Sequence, residues 1–93
     1  MLLLYVTARL RLPWCRSLKD KRAEARSLQS RLRRQFNVTV AETGSQDLHQ
    51  LLTLGIAALA FDAAQADSIG ENLYAFVEGA TQGEITGWEV EFR

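Results

Sequence analysis

Polar and apolar residues alternate from the start of the chain. Leu2, Leu4, Val6, Ala8, Leu10 and Leu12 fall on one side of an extended segment, and Leu3, Tyr5, Thr7, Arg9 and Arg11 on the other. A period of two held over eleven residues predicts a strand with one buried face. Pro13 ends it. Ser17 then offers a hydroxyl cap with Asp20 three residues on, an acidic relative of the capping box. Leu18, Ala25, Leu28, Leu32 and Phe36 recur at helical spacing behind that cap, and Asn37 is the expected stop. A short strand is expected over 38–43, then a turn-rich loop from Gly44-Ser45 to about His49.

Residues 50–61 are apolar on both faces, which predicts a strand inside a sheet, with Leu52, Leu54, Ile56 and Ala58 toward the helices. Asp62 is placed to cap a second helix with Ala66, Ile69, Leu73, Phe76 and Val77 as its stripe, and Gly79 and Gly83 are expected to bracket its exit. Glu84–Phe92 reads as the last strand, with Trp88, Val90 and Phe92 inward and Glu89 and Glu91 outward. The order β-α-β-β-α-β, with one apolar stripe per helix, implies an α+β, ferredoxin-like sandwich: a four-stranded antiparallel sheet with both helices on one face. Ninety-three residues with one proline and no low-complexity run make a single domain, 1–93.

Charge changes this picture. The net charge is zero, yet ten of the eleven Lys and Arg and only two of the eleven acids lie in Met1–Arg34, a net of +8, leaving −8 for the remainder. At about 100° per residue, Lys19, Arg22, Arg26 and Arg33 fall within an arc of roughly 60° beside the apolar stripe. Arg16 precedes them, and Arg31 and Arg34 lie on the far side. A one-signed stripe suits the tracking of phosphates without reading of bases; the plain alternative is a solvated helix face. Lys21 falls inside the apolar arc and is expected to snorkel, or else to be held at a pocket or subunit contact.

The sheet face away from the helices would show Leu3, Tyr5, Thr7, Arg9 and Arg11, then Leu51, Thr53, Gly55, Ala57 and Leu59, with Glu89 and Glu91 able to neutralise the two arginines. It holds more aliphatic area than a solvated face requires, so a homodimer through Leu3, Tyr5, Leu51 and Leu59 is expected. RNA-recognition domains share this topology and stack bases on central-strand aromatics. Here Gly and Ala occupy the place of the second platform ring, which makes the basic helix the better RNA candidate.

No catalytic constellation emerges. The loop Cys15-Arg16-Ser17 sits where acylphosphatases hold phosphate, but their glycine-rich loop is missing. Arg16 and a helix start would favour a Cys15 thiolate; no base is evident, and a half-buried structural cysteine is the simpler expectation. His49 and one cysteine cannot build a zinc site, so no metal or cofactor is expected. Asp47 is expected to pin its turn, and Trp14 to cover the seam between helix and sheet, or to stack beside Arg16. A lone cysteine, and a start too short to span a membrane, point to a cytoplasmic protein without membrane association.

The run Leu12-Pro13-Trp14-Cys15-Arg16-Ser17-Leu18-Lys19-Asp20-Lys21-Arg22 resembles the signature of the YlxP-like family of small, uncharacterised bacterial proteins. Phe36–Glu42, Gln46-Asp47 and Thr53-Leu54-Gly55 resemble its second block. The resemblance implies a ferredoxin-like fold. It also implies, through the family's gene neighbourhood near translation-initiation and ribosome-maturation factors, a role around the ribosome; it carries no catalytic residue. The signature lysines and arginine match at Lys19, Lys21 and Arg22. An aromatic and a basic residue common in the family near His49 and Leu51 are missing here. The function expected is therefore a non-enzymatic RNA- or ribosome-associated module whose basic helix presents Arg16, Lys19, Arg22, Arg26 and Arg33. The alternative is a self-associating or ligand- or protein-binding module whose basic helix meets an acidic surface.

Overall fold

A computed structural model describes all residues, 1–93. Six elements follow in the expected order: β1 (Leu2–Arg11), α1 (Leu18–Gln35), β2 (Thr39–Gly44), β3 (Leu51–Ala60), α2 (Ala63–Ala80) and β4 (Glu84–Phe92). The sheet runs β2-β3-β1-β4, antiparallel throughout. Both anticipated caps form: Ser17 Oγ accepts from the Asp20 amide at 3.1 Å, and Asp62 Oδ1 accepts from the Gln65 amide at 2.9 Å. α1 ends before Asn37, at the cap residue Phe36, and α2 runs through Gly79 to its cap Thr81.

The core lies between sheet and helices. Leu4, Val6, Ala8 and Leu10 of β1 and Leu52, Leu54, Ile56 and Ala58 of β3 meet Ala25, Leu28 and Leu32 of α1 and Leu73 and Val77 of α2. These faces follow from the period-two pattern, since one alternate set points at the helices. β3 is an interior strand, as its doubly apolar sequence requires.

The two outer strands differ. In β2, Val40 is buried. In β4, Trp88, Val90 and Phe92 do face the helix side, but they are not enclosed: Trp88 is half-buried, Val90 is 43% and Phe92 48% exposed. β4 is an edge strand like β2, and α2 stops short of covering it. Ala66 and Gly70 supply almost no side chain where α2 faces β4, and a groove of about 590 Å³ opens there.

On the opposite sheet face the Tyr5 phenol lies across Gly55. A Cβ at residue 55 would stand 2.5 Å from Tyr5 Oη and 2.8 Å from Thr43 Cγ2. Glycine is needed here for close approach, and the tyrosine fills the place where a second stacking ring would sit.

Candidate functional site

The apolar stripe of α1 seats the helix on the sheet, which fixes where its cations point. Arg31 lies on the flank toward α2, donating to the Ala80 carbonyl at 2.8 Å with its guanidinium 6.0 Å from the Phe76 ring. The stripe of Lys19, Arg22, Arg26 and Arg33 lies on the other flank, since Arg33 donates to the Val40 carbonyl of β2 at 2.8 Å and to Gln29 Oε1 at 3.3 Å. The positive surface therefore borders the β2 edge.

Arg16, Lys19, Arg22, Arg26 and Arg33 are all exposed, and no acidic side chain pairs with any of them. The two acids of α1 do not compensate the stripe: Asp20 Oδ2 accepts from the Arg16 amide at 3.0 Å, so it serves the helix start, and Glu24 forms no ion pair. Arg33 stands apart from the other four, because its donors are partly spent on β2.

Lys21 neither snorkels nor lines a pocket. It is 1% exposed. Its Nζ donates to the carbonyls of Ser45 at 2.5 Å and Gln46 at 3.2 Å, and lies 3.0 Å from Glu42 Oε2. The ammonium ties α1 to β2 and to the loop after it. A buried charge is tolerated where acceptors and an opposite charge surround it. Ser45 takes a left-handed backbone, φ 58°, in this loop, and its hydroxyl meets Thr53 Oγ1 at 3.0 Å. The turn is held by Lys21 and by the Leu48 amide donating to the Ser45 carbonyl at 3.0 Å, while Asp47 makes no hydrogen bond. Position 21 in the apolar arc was the sequence signal for a buried lysine; its acceptors come from a loop 24 residues on, which periodicity does not reveal.

Cys15 is fully buried. Burial pushes its thiol above the ordinary value, the Glu24 and Asp20 carboxylates push it further, and Lys21 only partly opposes them. This disfavours the thiolate alternative, and the cysteine is buried more completely than the half-buried one expected. His49 is exposed on its loop, and no group of three His, Cys, Asp or Glu side chains converges to hold a metal. Trp14 is 39% exposed.

On the open sheet face, strand register sets Leu3 opposite Leu59 and Tyr5 opposite Ala57, while Leu51 pairs with Arg11 at the far end. Leu51 thus stands about 27 Å from Leu59 along β3, and the four self-association candidates do not form one patch. Leu3, Tyr5 and Leu59 cluster, with Leu59 66% exposed. Arg9 pairs with Glu89 across the strands as anticipated, but Glu91 pairs with Arg93 and leaves Arg11 without an acid. No helix is long and apolar enough to cross a membrane.

The chain is similar to a curated bacterial protein, "Uncharacterized protein YlxP" of Bacillus subtilis (strain 168), at 34% identity over 70 residues, covering 75% of this chain and 76% of the relative. That protein is itself without an assigned function, as is the family whose description, "Protein of unknown function (DUF503)", matches residues 3–90. The match takes in the basic helix, the buried lysine and its loop, and all but the last residues of β4: the chain belongs to the DUF503 family.

Proposed function

We propose that this protein is a non-enzymatic accessory module that holds RNA, on the ribosome or bound for it, through the phosphate backbone. One observation carries the proposal: Arg16, Lys19, Arg22 and Arg26 form a one-signed surface that no acid of the chain neutralises. Arginine forks and a lysine point charge suit phosphate oxygens, and a straight helix flank can follow a backbone without reading bases. Arg33 contributes charge to the same flank while bracing β2. The sheet offers no aromatic platform, so contact through the helix predicts weak sequence preference.

Binding to ribosomal RNA fragments across a salt series tests this. Four phosphate contacts give a slope of log K against log salt of about −3 for single strands. Replacing Lys19, Arg22 and Arg26 by Gln should reduce that slope by about 2. Absence of binding at low salt, or a slope unchanged in the triple variant, would sink the proposal.

A second reading rests on the opposite charge of the two halves. The basic flank of one copy would meet the acidic flank of another, or an acidic partner protein, with the Leu3, Tyr5 and Leu59 cluster supporting a homodimer. Light scattering separates the readings: an oligomer that dissociates as salt rises, in a protein that retains no RNA, favours the second.

A further inference from the structure

The β4 edge has three properties that converge on one ligand chemistry. First, its backbone is free. The Arg93 amide donates to Leu3 O at 2.8 Å and the Leu3 amide to Arg93 O at 2.7 Å, so these residues form a hydrogen-bonded pair. In an antiparallel ladder such pairs alternate, so Glu91 and Glu89 also face β1, while the amides and carbonyls of Phe92, Val90 and Trp88 point away from the sheet. Second, the side chains of these same residues form the sheet wall of the groove. Tyr74 stands edge-on to Trp88 with centroids 5.0 Å apart, and Gly70 leaves open space, since a Cβ there would meet nothing within 4 Å. Third, the surroundings are acidic. Asp67 and Glu71 line the groove without a basic partner, and no Lys or Arg occurs anywhere in 35–92; Glu89 and Glu91, on the opposite face of β4, are paired with Arg9 and Arg93.

We propose that β4 accepts an extended segment of a partner protein, in which apolar residues alternate with Lys or Arg, as an additional strand of the sheet. Backbone groups of Trp88, Val90 and Phe92 would supply the ladder. Alternate apolar side chains would enter the groove, and the intervening basic ones would share Glu89 and Glu91 with Arg9 and Arg93 on the other face, in the field of the unpaired Asp67 and Glu71. The inner edge of β4 already has such a neighbour: it pairs with β1, whose Ala8-Arg9-Leu10-Arg11 has this alternation. A second copy of the chain fits poorly. Its basic surface lies on α1, where the exposed residues include no large apolar anchor, and pairing β4 with itself would bring acidic strands together.

The test uses a capped heptapeptide with the sequence Val6–Leu12, titrated into the intact protein and followed by amide hydrogen exchange. Binding with new protection at Trp88, Val90 and Phe92 is expected. Gly70→Leu, which fills the groove at a position where the helix tolerates a side chain, should weaken binding at least about tenfold, as should the pair Asp67→Lys and Glu71→Lys. A peptide carrying Glu at both Arg positions should not bind. Failure of the parent peptide to bind, binding without protection of those three amides, or binding unchanged by Gly70→Leu would each overturn the proposal.

Discussion

Along β2 the outward side of the sheet is dressed by α1. Arg33 occupies the Val40 carbonyl, and Lys21 gathers Glu42, Ser45 and Gln46 where the strand ends. Along β4 nothing comparable happens. Its outward amides and carbonyls have no partner, and the apolar side chains beside them are half exposed. The difference lies in what each neighbouring helix can reach with. α1 carries long cationic side chains able to donate to carbonyls. α2 has no Lys or Arg and presents Ala66 and Gly70 toward β4. An unpaired edge invites another strand unless something covers it, so the contrast separates a closed, cationic flank from an open, acidic one.

The sharpest way to break the contrast is to remove the closing lysine. Lys21→Met keeps the stem but leaves Glu42 without its counter-charge and the Gln46 carbonyl without its donor, with the Ser45 carbonyl held by the Leu48 amide alone. Losing one partner of a buried pair is expected to cost about 3 kcal/mol, read as a lower urea midpoint with faster amide exchange in 44–50. A loss below about 1 kcal/mol would show that water replaces the ammonium and that β2 is not held as described. The open flank should respond in the opposite sense. Gly70→Ala places a methyl in empty space within a helix and should stabilise by about 1 kcal/mol; destabilisation would mean that α2 and β4 approach more closely than the groove implies. The smallest effect concerns Cys15, under the closed side. Its folded thiol is raised, so the stabilising term is complete below the unfolded value near 9 and is lost as pH rises through the folded one. Stability should therefore fall above pH 9, by no more than about 1.4 kcal/mol per pH unit from this group. Cys15→Val should flatten that decline in urea midpoints measured from pH 8 to 10.

Much of this was legible in the chain. The alternation of β1, the doubly apolar β3 and the caps at Ser17 and Asp62 depend on neighbours a few residues away, and local physics settles them. The inward assignment of Trp88, Val90 and Phe92 gave the right side of the sheet and the wrong burial. Alternation tells which face a residue takes, while enclosure depends on strand order and on how far a helix reaches across. Lys21 shows the same boundary. Its place in the apolar arc was visible, but the carbonyls that satisfy it come from a turn whose position depends on the assembled sheet. The cationic stripe was fully readable as an arc; that it borders β2 rather than α2 emerged only from the contacts of Arg33 and Arg31.

The burial of Lys21 also has a consequence for labelling chemistry. The chain has two lysines, and one is sealed beneath the 44–50 loop. An amine-acylating reagent applied to the native protein should therefore mark Lys19 promptly and reach position 21 only when that loop lifts. The ratio of modification at the two lysines becomes a clock for local opening, written into the protein within a single turn of one helix.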